Sequence, residues 1–85
     1  MNKSDINILK EAISDYCEGL FGISLNYMKL NGIDYNLTGD DDLSILLRRA
    51  TYIKKSILTE NDFKRLEEYK NELLFINDSI RKIIG

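Results

Sequence analysis

The sequence predicts a mainly helical fold: a three-helix bundle built on a helical hairpin, with a small β-hairpin after the first helix. Three stretches repeat apolar residues at alternating spacings of three and four, which is the pattern of an amphipathic helix. A fourth stretch, 23–37, alternates apolar and polar residues around Asn31-Gly32, which is the strongest short-range hairpin signal. Proline, which would interrupt long helices, is absent.

The first helix is expected over about 5–18, with Ser4 as its N-cap. Gly19 and Gly22 mark its expected end. Cys17 lies beside the apolar stripe of this helix. Because the chain has no histidine to activate a thiol, we interpret Cys17 as a small buried hydrophobe. The stripe itself consists of Ile6, Leu9, Ile13, Tyr16 and Leu20.

Residues 23–37 allow two interpretations. In the β-hairpin, Asn31 and Gly32 form the two-residue turn, because both residue types tolerate positive φ. The alternative is a short helix over 24–30 that ends at Asn31-Gly32, which would give an all-α fold with four helices. An isolated two-stranded ribbon is marginal in water, so a hairpin here must pack on the helices or on a partner.

The remaining two helices are expected to be antiparallel neighbours. Helix two is predicted over about 41–57, because the acidic residues 40–42 suit the positive end of a helix dipole. Helix three is predicted over 59–84 with Thr59 as its cap, and the short link Leu58-Thr59 forces the antiparallel arrangement. The apolar stripes are Leu43, Leu46, Ala50, Ile53 and Ile57 on helix two, and Leu66, Tyr69, Leu73, Ile76, Ile80 and Ile83 on helix three.

Composition predicts one soluble domain in a reducing compartment. The 85 residues are the size of a single domain, and the chain is 44% hydrophobic with a net charge of −2. The single cysteine and the lack of a signal-peptide or membrane-spanning run favour a cytoplasmic protein without membrane contact. Heavy use of Ile, Asn, Lys and Tyr, whose codons are AT-rich, favours an AT-rich bacterium, or its phage or plasmid, as the source.

Catalysis is not expected. Histidine, the commonest acid–base group and metal ligand, is absent, and one cysteine cannot complete a zinc site. The five glycines are scattered and form no phosphate-binding loop. We therefore expect no catalytic residues, no cofactor and no metal.

The leading functional hypothesis is a non-enzymatic protein-binding module, such as a phage- or mobile-element-encoded inhibitor or regulator of a host or defence protein. Aromatic side chains supply much of the energy of protein interfaces. The candidate partner-binding residues are therefore Tyr27, Tyr35, Tyr52 and Phe75. Phe75 lies off the apolar stripe of helix three, so either helix one or the hairpin covers it, or it belongs to an exposed patch.

Two alternatives concern other partners. A nucleic-acid-associated regulator would use the basic face of helix two, formed by Arg48, Arg49, Lys54 and Lys55, although the acidic net charge disfavours it. The same cations would otherwise pair with acidic residues of helix three such as Glu67, Glu68 and Glu72. A structural subunit would form a homodimer through the C-terminal helix, whose last isoleucines extend beyond the shorter helix two.

Overall fold

The computed structural model describes residues 3–34 and 39–85, and shows three helices within them. The helices are α1 (Lys3–Leu30), α2 (Asp42–Ser56) and α3 (Phe63–Ile84). No strand occurs among the described residues. The predicted mainly helical fold is confirmed, and the predicted β-hairpin is wrong for the part of 23–37 that is described; 35–37 lie outside it.

α1 continues through the segment predicted as the first strand of the hairpin. Its buried side chains are Ile13, Cys17, Leu20, Ser24 and Met28, each 3% exposed or less. Their spacing of three and four residues is that of one helix face. Because Cys17 and Ser24 are small, they do not stand out as members of an apolar stripe. The alternation of larger apolar residues after position 22 was therefore the more visible pattern.

Asn31 and Gly32 end α1 instead of turning a hairpin. Gly32 has φ 66°, the left-handed conformation that commonly follows a helix. The N–H of Ile33 donates to the carbonyl oxygen of Met28 at 2.8 Å, and the N–H of Gly32 donates to that of Lys29 at 3.4 Å. This is the Schellman pattern of a helix C-terminus. The tolerance of positive φ that predicted a hairpin turn serves here as a helix cap.

Gly19 and Gly22, predicted to end the first helix, lie exposed inside α1. A Cβ atom at either position would meet no neighbouring atom within 4 Å. The alternative interpretation of 24–30 as helix is right about its conformation. That segment belongs to α1, however, and is not a fourth helix.

α2 and α3 each begin at an aspartate cap. The Asp41 carboxylate accepts the Ser44 N–H at 3.0 Å and the Ser44 hydroxyl at 2.7 Å. These hydrogen bonds hold the pKa of Asp41 below its usual value. Asp62 accepts the Lys64 N–H at 3.1 Å. Asp62, rather than the predicted Thr59, therefore caps α3, and the helix begins later than expected.

The three helices pack on one another around a shared apolar core. Arg49 of α2 pairs with Glu72 of α3, and Ile45, earlier on α2, shares a groove with Ile83, later on α3, so α2 runs antiparallel to α3 as predicted. The bundle measures 45 × 23 × 16 Å, in keeping with a 28-residue α1 of about 42 Å. The core residues are Ile13, Cys17, Leu20, Met28, Leu43, Leu47, Ala50, Ile53, Ile57, Leu66, Tyr69, Leu73, Ile76 and Ile80.

The predicted stripes agree with this core except at five positions: Ile6, Leu9, Tyr16, Leu46 and Ile83. All predicted stripe residues of α3 are buried up to Ile80, and Ile83 is half-buried. On α2 the stripe passes through Leu47, while Leu46 is half-buried. On α1 it passes through Cys17, which confirms Cys17 as a buried hydrophobe, whereas Tyr16 is exposed. Within the described ranges, no helix contains a stretch long and apolar enough to cross a bilayer.

Candidate functional site

A group of exposed apolar and charged side chains lies where α2 and α3 run side by side. Phe75 is 67% exposed, Tyr52 50% and Ile45 46%. Phe75 and Ile45 line one shallow groove between the two helices. We call this surface the α2–α3 face. It consists of Asp42, Ile45, Leu46, Arg49 and Tyr52 on α2, and of Glu72, Phe75, Ser79, Lys82 and Ile83 on α3.

Helix geometry explains why Phe75 and Ile45 point outward. Successive residues of an α-helix are about 100° apart, so a side chain two positions beyond a buried one points to nearly the opposite side. Phe75 lies two residues beyond the buried Leu73, and Ile45 two residues beyond the buried Leu43. Of the two predictions for Phe75, the structure confirms exposure, since neither α1 nor any other described segment covers this residue.

An ion pair crosses the middle of the α2–α3 face. The Arg49 guanidinium donates to both carboxylate oxygens of Glu72, and the Nη2–Oε1 distance is 2.8 Å. This bidentate contact raises the pKa of Arg49 and lowers the pKa of Glu72. The guanidinium carbon also lies 4.7 Å from the centre of the Tyr52 ring. Three side chains of the face thus hold one another in place.

Two further charges stand together at one end of the groove. Asp42 lies in the first turn of α2, and Lys82 lies in the last turn of α3. Both line the groove beside Phe75, and neither makes an ion pair within the described parts of the chain. At this end of the face, the acid (Asp42) is on α2 and the base (Lys82) is on α3. Farther along the face the base (Arg49) is on α2 and the acid (Glu72) is on α3.

The predicted partner-binding aromatics separate into two groups. Tyr52 and Phe75 are both on the α2–α3 face. Tyr27 is half-buried on α1 and packs against the core, so it does not share that surface. Tyr35 lies outside the described residues. Sequence reasoning missed Ile45, although it carries the same signal as Phe75: a large apolar residue off the spacing of the buried stripe.

The predicted basic face of helix two is divided among different neighbours. Arg48 donates to the Gly39 carbonyl oxygen at 2.6 Å, and Lys54 pairs with Glu18 of α1 at 3.0 Å. Arg49 turns to α3, which confirms the expectation that Glu72 would partner one of these cations. Lys55 is exposed and has no ion-pair partner in 3–34 or 39–85. Three of the four cations thus have separate partners, on the Gly39 backbone, on α3 and on α1.

A second groove, of about 200 Å³, lies on the other side of α3, against α1. It is lined by Tyr16, Leu74, Ala12, Ile13, Lys70 and Leu73. Leu74 is 46% exposed and Tyr16 36%, so more than half of each side chain is covered by the rest of the chain. The walls are almost entirely apolar, which leaves this groove without paired acid and base groups.

Cys17, the single cysteine of the chain, lies buried in the core. Burial raises the pKa of the Cys17 thiol to about 11, and its sulfur lies 3.7 Å from the Ala50 carbonyl oxygen. This thiol is therefore protonated at neutral pH and inaccessible to a substrate. Among the described residues, no three His, Cys, Asp or Glu side chains are grouped so that they could hold a metal ion.

Comparison of the chain with protein-family models, with curated proteins and with solved structures gave no match.

Proposed function

We propose that this chain is a non-enzymatic protein-binding module that contacts its partner through the α2–α3 face. The observation that carries the proposal is the exposure of Phe75, at 67%, beside a groove with apolar walls and fixed charges around it. Aromatic anchors surrounded by organised polar groups are typical of the energetic centres of protein interfaces.

The organisation of the face supports this use. A side chain that is ordered before binding loses less conformational entropy when the complex forms. The contacts among Arg49, Glu72 and Tyr52 supply that order in the unbound chain. Asp42 and Lys82 place opposite charges at the groove, and such charges orient a partner and accelerate its encounter more than they add affinity.

The proposed biological setting is regulation: a phage- or mobile-element-encoded chain that inhibits or regulates a host or defence protein by occupying part of its surface. The AT-rich codon preference of the residues supports this setting, and a compact helical chain with a prepared binding face is suited to it.

Replacement of Phe75 by alanine tests the proposed surface. We expect Phe75→Ala to weaken partner binding by more than about 1 kcal/mol, because an interface anchor would be lost. The thermal midpoint should remain nearly unchanged, because Phe75 contributes little to the core. Affinity capture from the native host lysate, followed by titration with the captured partner, measures the first effect. Thermal unfolding by circular dichroism measures the second.

Leu30→Ala is the matched control. Leu30 is 77% exposed, ends α1 and is not among the residues of the α2–α3 face. Its replacement removes a comparable exposed apolar side chain and should leave capture unchanged. Equal loss of capture in both variants would place the contact elsewhere. A large fall in the thermal midpoint of Phe75→Ala would assign Phe75 a role in stability instead of binding.

A further inference from the structure

We infer that a second copy of this chain covers the α2–α3 face, giving a symmetric dimer in which α2 of each copy lies over α3 of the other. The inference rests on the proposed function, because the second copy uses the surface that is proposed for the host protein and competes with it for that surface. It commits to a two-fold axis that runs parallel to the helices, between the two copies. A two-fold axis brings the same patch of both chains together, so the patch must be complementary to itself.

The apolar part of the face meets this requirement. With the axis along the helices, each residue of α2 faces the residue of the partner's α3 that stands at the same height. Phe75 and Ile45 line the same groove, so they stand at similar heights. Phe75 of each copy would therefore enter the groove of the other beside Ile45 and Leu46. The dimer thus buries the Phe75 side chains of both copies.

The charges meet the same requirement. Asp42 and Lys82 line the same groove and have no ion-pair partner in the described parts of their own chain. In the dimer, Asp42 of one copy faces Lys82 of the other, and symmetry creates this pair twice. At the next height, Arg49 faces a second Glu72, so unlike charges oppose each other there as well.

A two-fold axis across the helices is less favourable. It would place α2 over α2 and would oppose Asp42 to Arg49, and Lys82 to Glu72. Arg49 and Glu72 already neutralise each other within the chain through two hydrogen bonds. That arrangement would therefore leave the charges of Asp42 and Lys82 with partners that are already occupied.

The size of the face sets the expected strength. A standard specific interface takes about 800 Å² from each partner, and the whole chain exposes 5682 Å². Two adjacent helices with α2 about 22 Å long offer a face at the lower end of that range. We therefore expect a dissociation constant in the micromolar range, and a population of dimers that rises with concentration.

Sedimentation equilibrium from about 1 μM to about 500 μM tests the dimer directly, because this range brackets micromolar association. The unaltered chain should pass from monomer to dimer across it. Phe75→Ala should raise the dissociation constant by at least about thirtyfold, since symmetry removes two anchors from each dimer. Leu30→Ala, off the face, should leave the dissociation constant unchanged.

A mixing experiment tests the arrangement of the two copies. Asp42→Lys alone opposes two lysines at each contact, and Lys82→Glu alone opposes two acids, so each variant should dimerise about tenfold more weakly. An equimolar mixture of the two variants restores both unlike pairs in the mixed dimer. Sedimentation of the mixture should therefore recover association close to that of the unaltered chain. Circular dichroism of each variant confirms that its helices are intact.

The outcomes separate the inference from the proposed function. A chain that is monomeric at about 500 μM overturns the dimer, while loss of host-protein capture by Phe75→Ala would still support the proposed surface. A dimer unaffected by Phe75→Ala overturns the assignment of the face. A dimer that Phe75→Ala weakens, but that mixing does not restore, overturns the axis along the helices. If Phe75→Ala changes neither dimerisation nor capture, the proposed function fails as well.

Discussion

α2 meets its two neighbours in different ways. Toward α1 the contact uses small residues: Ala50 is fully buried, and the Cys17 sulfur lies 3.7 Å from the Ala50 carbonyl oxygen. Toward α3 the buried contact continues outward into a face where Phe75 stays 67% exposed and charges are paired between helices. The first contact is buried, whereas the second leaves apolar and charged side chains exposed. The buried side of α2 stabilises the bundle, and the α2–α3 face is the surface that we propose for binding.

Enlarging Ala50 should break the α1–α2 contact. We expect Ala50→Leu to lower the free energy of unfolding by about 2 to 3 kcal/mol, because a fully buried site must accommodate three more carbon atoms. Ala12→Leu makes the same change at an exposed position of α1 and should shift the free energy of unfolding by less than about 0.5 kcal/mol. Urea unfolding measures both. Similar values for the two variants would mean that the α1–α2 contact is not tightly packed.

High pH should weaken the same contact through Cys17. Because burial raises the pKa of its thiol from 9.0 to about 11, the unfolded chain loses the thiol proton at lower pH than the folded chain. The stability that the buried, protonated thiol contributes is fully present below pH 9 and is lost as the pH rises from 9 to about 11. The loss is on the order of 2 kcal/mol by the upper end of that range. The measurement is the free energy of unfolding against pH.

Cys17→Ala is the control for this titration, because tyrosines and lysines also ionise above pH 9 and remain in both chains. The difference between the unaltered chain and the variant isolates the thiol. Parallel pH profiles for the two chains would show that the thiol is as accessible in the folded chain as in the unfolded one.

Substitutions of glycine test the extent of α1, on which the α1–α2 contact depends. Gly22→Ala should raise the free energy of unfolding by about 0.5 to 1 kcal/mol, since position 22 is helical and open to a Cβ atom. Gly32→Ala should lower it by a similar or larger amount, because φ at Gly32 is 66°. Thermal or urea unfolding gives both values. A loss of stability on Gly22→Ala would contradict a continuous α1.

The fold could be predicted wherever large apolar residues mark the buried face. The stripe of α3 from Leu66 to Ile80 was found because each member is a large side chain at helical spacing. The second half of α1 was missed because Ser24, fully buried, interrupts that pattern with a hydroxyl. Asn31-Gly32 strengthened the error, since a residue pair suited to positive φ ends helices as well as turning strands.

The candidate site could be predicted only in part. The angular position of a residue around its helix indicates whether it is exposed, but which exposed residues share a surface depends on how the helices pack. The angular position alone identified Phe75 as lying off the stripe of α3. It could not show that Tyr52 would stand on the same surface, or that Tyr27 would pack against the core. The partners of Arg48 and Lys54 also depend on packing between segments, because Arg48 binds the Gly39 carbonyl oxygen and Lys54 pairs with Glu18 of α1.

The position of Phe75 two residues beyond Leu73 has a consequence for how such a chain can change over time. Side chains that hold the bundle together and side chains that stay exposed alternate along one helix. Substitutions on the outer positions can therefore accumulate without loss of folding. A lineage with this architecture can exchange one binding target for another while its backbone stays the same.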